Sequence, residues 1–231
     1  MSLKKYIPKE IKVNIRLFRR LISDYNVTFS KKRNEKIILN HKNETIQEIK
    51  KGSYFENKVH NFHFVSRQIS QVIIYPNEVF SFWKIIGNPN NNKNFKVGRN
   101  LVNGKISEEV AGGICQISSI IYHTALKTDL EIIERHNHSV DIYAEEDRFT
   151  PLGADATIVF PYKDLRIKNK YEFPISFSFA INDNEVVCTL NSENHIQENN
   201  LEFVRDYFPN TICVSTIKNC EIIKKSIYKK P

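Results

Sequence analysis

The chain carries few cysteines, and their spacing excludes the usual metal motifs. Cys115, Cys188, Cys213 and Cys220 form no CxxC pair and no Cys/His spacing of a zinc site, which argues against a structural metal. Four cysteines in 231 residues do not make a disulfide scaffold either, and neither a metal nor a cofactor is expected. No uninterrupted apolar run has the length of a signal peptide or a membrane span, so a cytoplasmic location is the expectation. Internal repeats and recognised nucleic-acid fold signatures are also missing. What remains is a globular composition. With 41% hydrophobic residues the chain can build one sizeable domain, alone or with an extension. Cys188 and Cys213 lie in the apolar runs Val186-Val187-Cys188 and Ile212-Cys213-Val214 and read as small buried core residues.

Charge is distributed unevenly. Residues 1–36 hold eleven Lys or Arg against Glu10, Asp24 and Glu35, which accounts for the whole net charge of +8. Pro8 stands near a helix start, and Ile11, Ile15, Phe18 and Ile22 share one face with Lys12, Arg16, Arg19 and Arg20 around it. This is a basic amphipathic helix, and residues 1–52 read as a basic helical extension. Its apolar stripe is expected to dock on the domain with the charges solvated. Peripheral association with an anionic membrane surface through residues 1–36 is the second expectation. Nucleic-acid binding through the same segment rests on charge alone.

Past residue 52, Phe62, Val65, Ile69 and Val72 recur at helical spacing and predict a helix from about His60 to Ile73. A turn at Pro76-Asn77 leads into a strand over Glu78–Trp83, and Asn88–Asn92 reads as an exposed loop. From Glu131 the chain turns strand-like: Glu131–Tyr143, Ala154–Phe160, Leu165–Asn169, Ile175–Ile181 and Val186–Leu190 are rich in β-branched and aromatic residues. Helices first and strands afterward predict an α+β fold, with helices N-terminal to a mostly antiparallel sheet, over a domain spanning 53–231.

The pentapeptide Gly112-Gly113-Ile114-Cys115-Gln116 sets a cysteine where a glycine turn runs into a helix. Glycine turns without steric penalty, and the first helical turn offers unpaired N–H groups and a positive dipole end that stabilise a thiolate. Ile117, Ile120, Ile121 and Ala125 follow at helical spacing, so a rigid helix holds the sulfur. A cysteine nucleophile needs a base, and the base needs a group that fixes its orientation. Arg135-His136-Asn137-His138-Ser139 and then Ala154-Asp155-Ala156-Thr157 supply both in chain order. His136 and His138, two apart on one strand, would share a face. We take His138 as the base, His136 as a substrate-positioning residue and Asp155 as the orienting group. Singly, these would read as structural histidines and an inert thiol; together with the glycine turn they favour a nucleophile. Glu134 and Arg135 are candidates to orient the site or bind a substrate carboxylate, and Gly112, Gly113 and Gln116 shape the turn. His60 and His63 have spacing for two metal ligands but no third, so His60 is read as a helix-start residue approaching the site. The order Cys, His, Asp resembles that of papain-like cysteine enzymes, in sequence order only.

The motifs together resemble the VanW family over about residues 60–190: His60-Asn61, Pro76-Asn77-Glu78-Val79-Phe80-Ser81-Phe82 before Gly87, Gly112-Gly113-Ile114-Cys115-Gln116-Ile117-Ser118, Glu134-Arg135-His136-Asn137-His138-Ser139, and Gly153-Ala154-Asp155-Ala156-Thr157. Two positions depart from the family pattern. Asn77 replaces a glycine after Pro76, and Ala111 stands where a third glycine is usual; Asn tolerates a left-handed turn. The resemblance implies cell-wall chemistry, since some members are peptidoglycan L,D-transpeptidases with a cysteine nucleophile. Cys115 would then attack a stem peptide or wall precursor, His138 would shuttle protons, Asp155 would orient it, and backbone N–H groups near Cys115 would hold the oxyanion. The competing expectation is a non-catalytic module that binds wall precursor or a glycopeptide at the membrane surface.

Overall fold

In the computed structural model the described residues are 8–102, 105–143 and 145–230, so the first seven residues of the expected extension lie outside them. In chain order the elements are α1 (Lys9–Ser23), β1 (Lys31–Lys32), β2 (His41–Glu48), α2 (Phe55–Ile69), β3 (Val72–Ile74), β4 (Val79–Ser81), α3 (Phe82–Ile86), β5 (Val97–Val102) and β6 (Lys105–Val110). Then follow α4 (Cys115–Lys127), β7 (Glu131–Glu134), β8 (Arg166–Lys168), β9 (Ile175–Ile181), β10 (Glu185–Ser192), β11 (Leu201–Tyr207), β12 (Thr211–Lys218) and β13 (Glu221–Lys229). The fold is α+β with antiparallel sheets, as expected. A five-stranded sheet runs β1-β3-β9-β10-β2, three-stranded sheets run β4-β8-β7 and β11-β12-β13, and β5 pairs with β6.

Helices α2 and α4 supply the centre of the core. Phe62, Val65 and Ile69 of α2 and Ile117, Ile120, Ile121 and Ala125 of α4 are fully buried, together with Phe177, Cys188 and Leu190 of the five-stranded sheet. Cys188 is the buried core residue expected. Cys213 is not: strand alternation turns Ile212 and Val214 inward and leaves Cys213 on the other face, partly exposed.

Several element boundaries differ from expectation for local physical reasons. α2 stops at Ile69 because Val72–Ile74, a β-branched run, pairs with β1 and β9. The Glu78–Trp83 strand ends at Ser81, whose hydroxyl caps α3 by accepting from the Lys84 N–H at 3.3 Å. The Glu131–Tyr143 strand ends at Glu134. Ala154–Phe160 forms no strand beyond a single bridge between Val159 and Lys163; the Ser118 and Ser119 hydroxyls take the backbone groups of Ala156, and Arg135 and the His136 carbonyl those of Asp155 and Thr157. The segment expected as a helical extension is helical only in α1. Residues 41–48 pair along their whole length with β10, so the five-stranded sheet begins before residue 53.

α1 reverses the expected orientation. Phe18 and Ile22 are each 62% exposed and Ile11 and Ile15 are exposed too, so the apolar stripe faces outward. Polar contacts hold the opposite side to the body. Arg20 donates to both Glu134 oxygens at 2.9 and 2.7 Å and to the Pro161 carbonyl at 2.6 Å. Just beyond the helix, buried Asp24 accepts from Arg166 at 2.6 and 3.1 Å. Charged pairs with good geometry therefore set which face meets the domain.

Burial opposes ionisation of Asp24, but Arg166 and Lys84 hold its pKa below the ordinary 3.8. Its contribution is thus present above that value and is lost as pH falls through the depressed pKa. Asp24→Asn is expected to lower stability by roughly 2 kcal/mol at pH 7, measured by urea unfolding. The difference from wild type should shrink below about pH 4, and a pH-independent difference would contradict the ion-pair account.

Candidate active site

The site begins with a backbone contact that only glycine permits. A methyl at Gly112 would lie 2.1 Å from the Gly98 carbonyl carbon, so the turn before α4 lies against β5, backbone to backbone. Buried Asn61 of α2 fixes the same turn: its amide donates to the carbonyls of Gly112 at 3.1 Å and Lys96 at 2.9 Å and accepts from the Lys96 N–H. Gly113 has φ +92°. Asn77 and Ala111, the two departures from the family pattern, have φ +65° and +63°, so each keeps the left-handed backbone that glycine would adopt there.

Cys115 is the first residue of α4, and its sulfur lies 3.9 Å from both Thr157 Oγ1 and the Ile158 carbonyl. Two serines bind that strand-like segment to the helix. Ser118 donates to the Ala156 carbonyl at 2.6 Å, and Ser119 accepts from the Ala156 N–H at 2.9 Å while donating to the Cys115 carbonyl at 2.7 Å. The Thr157 N–H donates to the His136 carbonyl at 2.8 Å, which joins the histidine loop to the same segment.

Beyond Glu134 the chain leaves its strand, so His136 and His138 do not share a face. His136 pairs with Glu134 at 3.0 Å, away from the sulfur. His138 points to Asp155: its Nδ1 and its backbone N–H are each 2.7 Å from Asp155 Oδ2. With Nδ1–H donated to the carboxylate, the other ring nitrogen is left free, and His138 lines the same cleft as the thiol. Burial opposes the His138 charge, but Asp155 and the sulfur outweigh it and push its pKa up to about 10. Burial likewise opposes a thiolate at Cys115, but the His138 hydrogen bond and charge, with Ile158 and Thr157, hold the thiol below its ordinary value. Asp155 is held far below the usual carboxylate range against its own burial, chiefly by His138 and Arg135. Both shifts run in the direction of a thiolate beside an imidazolium.

The other expected residues take different parts. Arg135 is buried and fully engaged. It donates to the Asp155 carboxylate and to the Asp155, Gly153 and Ser226 oxygens between 2.6 and 2.9 Å, with its guanidinium 4.7 Å from the centre of the Tyr122 ring. It holds Asp155 and is not among the residues that line the cleft beside Cys115. Glu134 binds Arg20, His136 and the Asp164 N–H, so it anchors α1. Gln116, also buried, donates to the Glu48 carbonyl at 2.8 Å. His60 lies inside α2, exposed, against the Asn94 carbonyl at 2.9 Å, and does not reach the sulfur. Among the described residues no group of His, Cys, Asp and Glu could hold a metal.

A residue that the sequence reading missed reaches Asp155 from the C-terminal strand. The Tyr228 hydroxyl donates to Asp155 Oδ1 and accepts from the Gly153 N–H at 3.0 Å, while Asn137 and Ser139 bond the backbone of β13. No motif marks Tyr228. Its one sequence signal is an aromatic in an otherwise lysine-rich strand. A cleft of about 150 Å³ opens beside Cys115, lined also by Lys58, Arg99, Gly113, Gln116, His138 and Tyr143.

Residues 57–191, more than half of the chain, match the family described as VanW like protein. The chain belongs to the VanW family. It is 31% identical over 141 residues to the uncharacterized protein YoaR of Bacillus subtilis (strain 168), covering 61% of this chain and 45% of that protein. Identity is again 31% over 134 residues to the vancomycin B-type resistance protein VanW of Enterococcus faecalis (strain ATCC 700802 / V583), covering 58% of this chain and 49% of that protein. The chain therefore matches about half the length of these relatives. No solved structure matches it. Cys115, His138 and Asp155 all lie inside the VanW match, whereas Tyr228 and Ser226 lie beyond it.

Two measurements check this geometry. His138→Gln should slow iodoacetamide alkylation of Cys115 at pH 7 by about tenfold or more, since the thiol returns to an ordinary titration; equal rates would refute the pairing. Tyr228→Phe should cost about 2 kcal/mol in urea unfolding, because a buried carboxylate loses a donor. Ile227→Ala, at the exposed neighbouring position, should cost far less, and equal losses would make Tyr228 mere packing.

Proposed function

We propose that this VanW-family chain is a cysteine-dependent acyl transferase acting on peptidoglycan stem peptides. The observation that carries the reading is the Cys115–His138–Asp155 arrangement at the start of a helix, open to a cleft. Membership of the VanW family and a relative named as a vancomycin resistance protein support the choice of substrate class.

In the proposed reaction the Cys115 thiolate attacks the carbonyl of the residue before the terminal D-alanine, meso-diaminopimelate in a tetrapeptide stem. The oxyanion of the tetrahedral intermediate is received by backbone N–H groups of the first turn of α4. The intermediate collapses as His138 gives its proton to the departing amine, D-alanine leaves, and a thioester to Cys115 remains. An amine of a second stem then loses a proton to His138 and attacks the thioester, which restores the thiolate–imidazolium pair and makes a cross-link. Water in place of the amine would trim the stem. Asp155 keeps His138 in the tautomer that serves both steps and stabilises its charge, without itself taking the proton.

Incubation with a tetrapeptide stem should raise the intact mass of the wild-type protein by the stem less D-alanine, and leave Cys115→Ala unchanged. Asp155→Asn should still form the adduct but on the order of 10³ or more slower. A wild-type thiol that alkylates readily yet forms no adduct with stems of any acceptable length would leave the non-catalytic binding module standing.

A further inference from the structure

The cleft beside Cys115 holds cations that the mechanism leaves unused. Among the described residues, Lys50, Lys51, Lys58 and Arg99 line it, against one carboxylate, Asp147. Lys50 is paired with Glu48 at 2.6 Å, and Lys51 sits over the Phe55 ring at 5.8 Å. Lys58 is placed differently. It projects from α2 with its stem against Gly113, where an added methyl would lie 2.8 Å from its Cγ, and its ammonium stands 5.5 Å from the centre of the Phe62 ring. It is partly buried, and among the described residues no acidic group forms an ion pair with it. Burial, then the charge of Arg99, pushes its pKa down to about 8, as expected of a cation held beside another without a counter-charge.

A partly desolvated cation without a partner is unfavourable until something anionic arrives. The residue it leans on, Gly113, is two before the sulfur. In a substrate whose last residue is the leaving group, the free carboxylate lies one residue, about 3.8 Å of Cα separation, past the attacked carbonyl. We propose that Lys58 and Arg99 form the subsite that receives the terminal carboxylate of the substrate, which restricts the enzyme to cleavage at a free C-terminus. This deepens the acyl-transfer reading and rests on it for the position of the attacked carbonyl. Arg99 offers a planar fork for the carboxylate, and Lys58 supplies a point charge from the wall of the cleft. Peptides amidated at the C-terminus, or extended beyond it, would lack the group that this pair binds.

The test separates carboxylate recognition from catalysis. Cys115 alkylation, mapped by peptide mass so that Cys213 and Cys220 do not contribute, is followed with iodoacetate and with iodoacetamide at fixed ionic strength. Each reagent loses iodide to the same thiolate, and only the first carries a carboxylate. The rate ratio, iodoacetate over iodoacetamide, is expected to fall about tenfold in Lys58→Met and about threefold in Arg99→Gln, and to stay within about twofold in Lys42→Gln, an exposed lysine on β2. An unchanged ratio in Lys58→Met, or an equal fall in Lys42→Gln, would overturn the subsite. In parallel, calorimetric titration of Cys115→Ala with a tetrapeptide acid and its C-terminal amide should show the acid at least about tenfold tighter, a preference lost on adding Lys58→Met. Equal affinity for acid and amide would also overturn it. Failure of both reagents to label wild-type Cys115, with the acid preference intact, would instead remove the nucleophile and leave a carboxylate-binding cleft.

Discussion

The buried carboxylate of Asp155 is the constraint around which the site is organised. Its two oxygens accept four hydrogen bonds: from the His138 backbone and ring to one, and from Arg135 and Tyr228 to the other. An ionised carboxylate inside a protein is tolerated only when its acceptor positions are filled, because the desolvation penalty is several kcal/mol. Filling them requires the loop after β7, the segment at Gly153–Thr157 and strand β13 to meet in one place. That requirement explains why the C-terminal sheet, outside the family match, packs against the histidine loop. The Asp155 charge favours the His138 charge, and the His138 charge opposes the penalty that burial puts on a Cys115 thiolate.

The sulfur needs an equally fixed frame on its own side, and small residues provide it. Gly112 and Gly98 let two backbones touch, which sets the start of α4 against β5, and Asn61 ties that turn to α2. Ser118 and Ser119 replace the missing neighbour of the Ala154–Phe160 segment, so a strand-like stretch can lie along a helix with its backbone groups satisfied. The two frames meet where Thr157 bonds to the carbonyl of His136. A change of one ångström in either would shift the thiol relative to His138, a displacement to which the proposed chemistry would be sensitive.

The sequence was legible where a residue's type and its position agree. α2, α4, β9 and β10 carry apolar residues at the period of their own structure, and His138 and Asp155, singled out in chain order, meet in space. It was illegible where they conflict. β2 buries Asn43, Thr45 and Gln47 and exposes Ile46, so its pattern reads as polar coil although every residue of it is paired with β10. Asn43 is satisfied by the Ile196 carbonyl and Glu198, partners remote in sequence that no local pattern announces. His136 and His138 were separable only once β7 was seen to end at Glu134, and Tyr228 only once β13 was seen beside Gly153. The family pattern marks the turn before Cys115 and includes Arg135 and His138, but not Tyr228, the distant residue that completes the hold on Asp155.

Charge shows the same difference between position in sequence and position in space. The excess of Lys and Arg in residues 1–36 suggests an anionic partner at that end, yet several of those cations have partners within the chain. Arg20 is bound to Glu134, Arg33 forks onto Glu78 at 2.9 and 2.5 Å, and Arg16 donates to the Tyr162 carbonyl. Their carboxylate partners lie in the part of the chain that is neutral overall, so the sequence separates charges that the fold recombines. Pairing of this kind removes cations from the exterior field while fixing α1, with its apolar residues outward. Around the cleft the fold does the reverse. Lys58 and Arg99 belong to the neutral portion of the sequence, on elements that α4 brings together through Gly112 and Gly113, and they concentrate positive potential beside the thiol. Net charge by segment therefore locates the structural cations, and the cations that line the cleft emerge only from the packing of the turn before Cys115.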